Sequence, residues 1–168
     1  MIDTYKQITL GQFEAALAML KQCVERCPEE LWESKVAELT VRQITYHTLF
    51  FVDFYLTASE DAFGLRDLHH VGGDEREPLI SPGLSKEATL EYLAICHGKL
   101  RMTMAGESEV TLCGASGFAW CRFTRAEMHL YNLRHVQHHA GQLSGHLRRV
   151  VPDCRGQSEL RWVSTGWR

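Results

Sequence analysis

The sequence of 168 residues lacks a long hydrophobic run, a strong excess of either charge and a secretory signal. Its most apolar stretch, at residues 49–56, is short and carries Asp53, whereas a membrane-spanning helix needs about 20 apolar residues. The first residues, MIDTYKQITLGQF, have neither the basic nor the apolar region of an export signal. Acidic residues number 21 against 18 basic ones, while binders of nucleic acid or anionic membranes are usually basic. We therefore expect a cytoplasmic protein with neither a nucleic acid nor a membrane as partner.

Common catalytic motifs and metal-binding cysteine motifs are also missing. The six cysteines include no C-x-x-C pair, and Cys23 and Cys27 lie about one helical turn apart. Because no export is expected, we interpret the cysteines as small buried hydrophobic residues. The sequence contains no H-E-x-x-H, E-x-x-H, G-x-x-x-x-G-K-[ST], G-x-G-x-x-G or G-x-S-x-G. These absences argue against several metalloprotease, di-iron, nucleotide-binding and hydrolase templates.

The sequence does contain four segments whose apolar residues recur every three or four positions, at 9–27, 41–57, 86–105 and 124–149. This spacing is typical of helices that bury one face. Thr40 with Gln43, and Thr124 with Glu127, form capping boxes, and Ser85 is a candidate N-cap. No convincing alternating strand occurs. We therefore predict an all-α four-helix bundle that forms a single domain over residues 1–168.

The connections between these helices are uneven in length. Residues 58–84, between the second and third helices, are punctuated by Gly and Pro and are predicted to form a crossover or a functional lid. The apolar residues 118–120 in the next linker are interpreted as packing pieces. The tail at 151–168 carries Trp162 and Trp167, and is expected to pack on the bundle or on a partner, which includes a second copy in a homodimer.

A group of histidines offers the clearest chemistry. His135 and His139 stand at i and i+4 in the fourth helix, a spacing that lets one helix hold one divalent cation. His47 occupies the apolar seam of the second helix and is the candidate third ligand. Three imidazoles leave a position for water or substrate, as in a catalytic site, and suit several divalent transition metals. Tyr131 and Gln142 share the same helical face and are candidates to hydrogen-bond the ligands.

Other arrangements remain open at this point. His138 lies about 60° from His135 around the helix and could replace His139. His97, in the seam of the third helix, could join as a fourth ligand or as a hydrogen-bond partner. A third possibility is that no metal binds and the histidines are buried polar packing. A closed fourth ligand would favour a structural role, and a pocket of roughly 300 Å³ or more would favour an enzyme.

The run LYNLRHVQHHAGQLSGHLRR resembles the fourth-helix signature of the DinB/YfiT-like superfamily, whose pattern is roughly H-x-x-H-H-R-G-Q-[LI]. Ala140 stands where that pattern has Arg. The run TVRQITYHTLFFVDFYL is similar to the family's second helix, with His47 at the position of its histidine ligand.

The resemblance implies a four-helix bundle with a three-histidine metal site in a cleft. It further implies a metal-dependent enzyme for a small-molecule substrate, with Zn, Ni, Fe or Mn at His47, His135 and His139. Some relatives are thiol-dependent transferases or isomerases that use bacillithiol or mycothiol. The expected reaction is thus S-transfer with a low-molecular-weight thiol as cosubstrate, or hydrolysis. The alternative is a non-enzymatic metal-binding or stress-related bundle.

Overall fold

A computed structural model describes residues 1–69, 84–152 and 160–167, and in these ranges the chain is mainly helical. The helices are α1 (Ile2–Arg26), α2 (Val41–Tyr55), α3 (Lys86–Gly106), α4 (Glu109–Cys113) and α5 (Arg125–Val150). The strands β1 (Lys35–Val36) and β2 (Leu39–Thr40) form a two-stranded antiparallel sheet. Single 3-10 turns lie at Glu29–Leu31, Glu60–Ala62 and Asp67–His69. The prediction of an all-α bundle is confirmed.

The four long helices pack as a bundle around one main core. Both α1 and α2 lie against α3 and α5. The apolar stripes of all four helices meet inside, and the core includes Phe13, Leu17, Leu49, Leu100 and Leu143. Because α2 and α5 are direct neighbours, a side chain on the inner part of one can reach the other. None of the helices in the described parts of the chain has the length and apolarity needed to cross a membrane.

The predicted helix starts are confirmed at three positions. The Gln43 amide donates to Thr40 Oγ1 over 3.2 Å, and the Thr40 amide donates to Gln43 Oε1 over 2.9 Å. Thr124 and Glu127 make the same reciprocal pair at the start of α5. Ser85 accepts from the Ala88 amide over 3.2 Å. These side chains bind amides that have no partner within the helix, and so fix where α2, α3 and α5 begin.

Four elements differ from the sequence prediction. Helix α1 begins at Ile2 rather than near residue 9, because Tyr5 and Lys6 donate to distant carbonyl oxygens at Ala126, Ala105 and Glu107. Strands β1 and β2 form a hairpin where no strand was expected. Helix α4 occupies the predicted linker and is capped by Ser108 and Thr111. Each of these elements is short or depends on long-range contacts, which a periodic pattern does not report.

The long connection and the tail lie partly outside the described residues, at 70–83, 153–159 and 168. The described end of the tail packs on the bundle. The Gly166 amide donates to the Gly11 carbonyl oxygen over 2.8 Å, and the Trp167 ring stacks on His97 with 4.1 Å between centroids. Trp162, by contrast, is exposed.

The loop between α4 and α5 packs closely on the end of α2. Gly117 has φ of 90°, and a Cβ there would lie 2.1 Å from the Ala58 carbonyl oxygen. Only glycine fits both this conformation and this approach. The turn places the buried Phe118 ring against Tyr55, with 5.6 Å between ring centroids, and leaves Trp120 half exposed.

Candidate metal centre

Three histidine side chains from α2 and α5 converge between these two helices. The Nε2 atom of His135 lies 3.2 Å from Nε2 of His47 and 3.1 Å from Nε2 of His139. One ligand atom from each of the three residues lies within 4.8 Å of the other two. The i, i+4 spacing places His135 and His139 on the same side of α5, and the α2–α5 contact brings His47 to them.

This arrangement fits a metal ion. Two imidazole nitrogens each about 2.05 Å from a zinc ion at a tetrahedral angle lie about 3.3 Å apart. The observed separations of 3.2 and 3.1 Å are close to that value. Nitrogen lone pairs directed at a common point repel one another unless a cation or a proton lies between them. The three residues can therefore hold one divalent ion from two helices.

Burial keeps the imidazoles neutral. Burial, assisted by the charge of His139, lowers the pKa of His47 to about 4. Burial, together with the neighbouring histidines, lowers the pKa of His135 to about 3. The pKa of His139 is also lowered, mainly by burial. Neutral imidazole is the form that binds metal, so all three side chains are ready to act as ligands at neutral pH.

One hydrogen bond orients a member of the triad. His139 Nδ1 lies 2.8 Å from Gln142 Oε1. An amide oxygen only accepts, so Nδ1 donates and the lone pair is left on Nε2, toward the other histidines. The Nδ1 atoms of His47 and His135 are buried and have no hydrogen-bond partner within residues 1–69, 84–152 and 160–167. Among the described residues, Tyr131 makes no hydrogen bond to the triad like that of Gln142. Its ring packs on Tyr55 and Trp120 instead.

The other histidines considered from the sequence lie elsewhere. His138 is exposed on α5 and contacts only the edge of the group, with 5.0 Å between its ring centroid and that of His139. His97 pairs with Glu14 over 2.9 Å and stacks on Trp167, so it does not join the triad. Within the described ranges, no further histidine, cysteine or carboxylate belongs to the group.

The surroundings of the triad are aromatic and open on one side. Phe51 packs on both His47 and His135, with centroid separations of 4.8 and 5.6 Å. An open cleft of about 470 Å³ runs along α5 and includes His135 in its wall. We call it the α5 cleft, and its lining residues are Tyr131, Arg134, His135, Gln137 and His138. Its volume lies within the range of small-molecule sites.

A second cavity, of about 440 Å³, lies at the end of the bundle and does not include the triad. Its charged residues are already paired with each other. Glu107 Oε1 accepts from Arg125 Nε over 3.0 Å and lies 2.9 Å from His129 Nε2. Arg125 also donates to carbonyl oxygens at the end of α2 and just after it, those of Tyr55, Leu56 and Thr57. This cluster joins helix ends and leaves little unpaired charge for a ligand.

The sequence reasoning did not single out Arg134 or the rings beside the triad. Arg134 directly precedes His135, and its wheel position lies off the histidine stripe. The rings beside the triad belong to the apolar stripe of α2, whose spacing predicts packing in the core. A useful signal would have been the recurrence of Tyr131, Arg134 and His138 at three- and four-residue spacing around the first predicted ligand.

Comparison with known proteins gives one family. The sequence model of the DinB superfamily matches residues 12–143. Neither the curated proteins nor the solved structures that were compared contain a significant match. The matched range includes α2 and α5 up to Leu143, and thus all three histidines.

Proposed function

Since the chain belongs to the DinB superfamily and its histidine Nε2 atoms converge beside an open cleft, we propose that it is a metal-dependent enzyme acting on a small molecule. His47, His135 and His139 hold one divalent transition metal. The single observation that carries this proposal is the spacing of 3.2 and 3.1 Å between their Nε2 atoms. A metal bound there supplies Lewis acidity toward water or a thiol.

The three histidine side chains can act as metal ligands because their imidazole rings carry no proton charge that would repel the cation. Their lowered pKa values keep them neutral at pH 7. Gln142 holds the His139 ring so that Nε2 faces the centre. The rings of Phe51 and Tyr55 pack against the α2 side of His135, and the α5 cleft is the open approach on its other side.

The open cleft favours an enzyme over a structural metal site. A structural site for zinc is normally closed by a fourth protein ligand. In the described parts of the chain the group has three members, and His135 faces a cleft of about 470 Å³. A non-enzymatic metal-binding bundle would have no need of such a space beside its ligands.

We propose two reactions for this site, S-transfer from a low-molecular-weight thiol and hydrolysis, of which S-transfer is the first to test. In S-transfer the thiol sulfur forms a bond to an electrophilic carbon, and the leaving group and the thiol proton are released. The assay uses L-cysteine with 1-chloro-2,4-dinitrobenzene, in which chloride leaves and the proton goes to buffer. A parallel assay follows hydrolysis of 4-nitrophenyl acetate.

The rates of the variants show whether a reaction depends on the three histidines or proceeds without the protein's site. We expect metal-loaded wild-type protein to accelerate one of the two reactions, and His135→Ala to lose at least 100-fold of that acceleration. Arg122→Gln is the control, because Arg122 is exposed and lies outside the lining of the α5 cleft, and we expect its rate to stay within threefold of wild type. Equal rates in wild-type protein and His135→Ala would contradict the proposal.

A further inference from the structure

The α5 cleft carries the positive charge of Arg134, which has no partner among the residues that the structure describes. Arg134 is exposed and lines the cleft, and no residue in the described ranges makes a hydrogen bond or an ion pair with its guanidinium group. The five lining residues include no carboxylate. Other arginines in the described ranges form ion pairs, as Arg125 does with Glu107 and Arg101 with Glu14. Arg134 is therefore available to a ligand in the cleft.

Tyr131 is an aromatic residue in the lining of this cleft, and the ring of Trp120 lies beside it, outside the lining. Tyr131 lies one turn before Arg134 and His135 on α5 and between them around the helix, and all three side chains line the cleft. The ring of Trp120 packs against Tyr131 with 6.4 Å between centroids and remains 52% exposed. An exposed aromatic ring at this position offers an apolar face on which a flat ligand can pack.

Geometry and charge together define a ligand class. We propose that the α5 cleft binds a small aromatic carboxylate, with its carboxylate on Arg134 and its ring against Tyr131 and Trp120. Arginine suits this role because its planar guanidinium group donates two parallel hydrogen bonds to a carboxylate. His135 lies in the wall of the same cleft, so a ligand held in this way has one side next to the triad. This inference rests on the proposed function only in treating the cleft as the substrate site.

The test measures binding directly rather than activity. The probe is phenylacetate, titrated into isotopically labelled full-length protein and followed by NMR at the tryptophan indole signals. Phenylacetamide is the neutral probe of nearly the same shape, and acetate is the anion without a ring. The Trp120 signal is assigned with Trp120→Phe. Metal content is measured by mass spectrometry on the same samples, before and after EDTA treatment.

We expect phenylacetate to shift the Trp120 indole signal, and phenylacetamide and acetate each to bind at least about tenfold more weakly. Arg134→Gln should weaken phenylacetate binding about tenfold, to the level of phenylacetamide. Arg122→Gln is the matched control, since Arg122 is an exposed arginine in the loop of Trp120 that does not line the cleft. We expect its binding to stay within twofold of wild type.

Binding measured before and after EDTA treatment tests this inference separately from the proposed function. The dependence on Arg134 should persist after EDTA treatment, because a guanidinium group needs no metal to bind a carboxylate. Binding that requires metal and is unchanged in Arg134→Gln would show the carboxylate on the metal, which overturns the inference and leaves the metal site standing. Equal affinity for phenylacetate and phenylacetamide, or no binding at all, would also overturn it. Persistent Arg134-dependent binding in protein that takes up no metal would uphold the inference while the proposed function fails.

Discussion

At the scale of single residues, the buried carboxylate of Asp53 ties together three parts of the chain. It accepts from Arg66 Nε over 2.6 Å in the connection after α2, and from Lys99 Nζ over 2.6 Å on α3. Tyr92 donates to it over 3.3 Å. Burial raises the pKa of Asp53, but the hydrogen bonds and charges of Arg66 and Lys99 outweigh that effect and lower it. The carboxylate is therefore ionised and holds residues near 66 against the bundle.

Removing this charge should weaken the fold. In Asp53→Asn, the cations of Arg66 and Lys99 face a neutral amide, and we expect a loss of about 3 kcal/mol in the free energy of unfolding. Urea denaturation followed by circular dichroism measures it. Asp61→Asn is the control, because Asp61 is exposed, and its effect should stay within about 0.5 kcal/mol. Equal stability of the two variants would show that Asp53 contributes no more than a surface charge.

Glu107 is a second carboxylate that several hydrogen bonds hold in place. Its burial raises its pKa, but hydrogen bonds from His129, Thr111 and Arg125 outweigh burial and bring the pKa to about 2, below the ordinary value of 4.5. A carboxylate with a depressed pKa in the folded protein stabilises the fold above its unfolded pKa. This stabilisation is lost as the pH falls from about 4.5 toward 2.

The expected result is a pH-dependent effect of Glu107→Gln. The variant should be less stable than wild type at pH 6, and the difference should shrink as the pH is lowered from 5 to 3. Thermal unfolding at a series of pH values measures this. Glu109→Gln, at an exposed position nearby, should show no such trend. A difference between wild type and Glu107→Gln that stays constant over this range would contradict the assigned role.

At the scale of elements, the start of α5 deserves a test because this helix carries two of the three proposed ligands. Thr124 caps it by accepting from the Glu127 amide, and α5 runs on through His135 and His139 to Val150. Thr124→Ala removes the acceptor and should cost about 1 kcal/mol of unfolding free energy. Thr124→Ser keeps an acceptor and should lower the free energy of unfolding by only a few tenths of a kcal/mol. Urea denaturation compares the two, and similar losses would mean that the methyl group matters rather than the cap.

The elements also show how far sequence patterns reach. The starts of α2, α3 and α5 followed from local side chains that bind nearby amides, at Thr40, Ser85 and Thr124. The first turns of α1 did not, because Tyr5 and Lys6 are fixed by carbonyl groups about 100 residues away. Helix α4 has five residues, too few to show a period. Local rules therefore predict long capped helices and miss elements held by distant contacts.

At the scale of the whole molecule, the candidate site depends on two helices being neighbours. The pair His135 and His139 could be recognised from spacing within α5, and His47 from its place in an apolar seam. That the three meet requires the contact between α2 and α5, which the family pattern implied and the structure contains. The spacing of Arg134 from Tyr131 and His138 could have placed it on the same helix face, but the α5 cleft itself could not be predicted, because a cleft depends on what does not cover a helix face.

The three-histidine site is tested most simply by the metal content of tag-free protein, measured by mass spectrometry after incubation with Zn, Ni, Mn and Fe. We expect about one metal per chain in wild type and in His138→Ala, and almost none in His135→Ala or His47→Ala. Circular dichroism checks that each variant is folded. No metal in wild-type protein, or equal metal in wild type and folded His135→Ala, would contradict the three-histidine site.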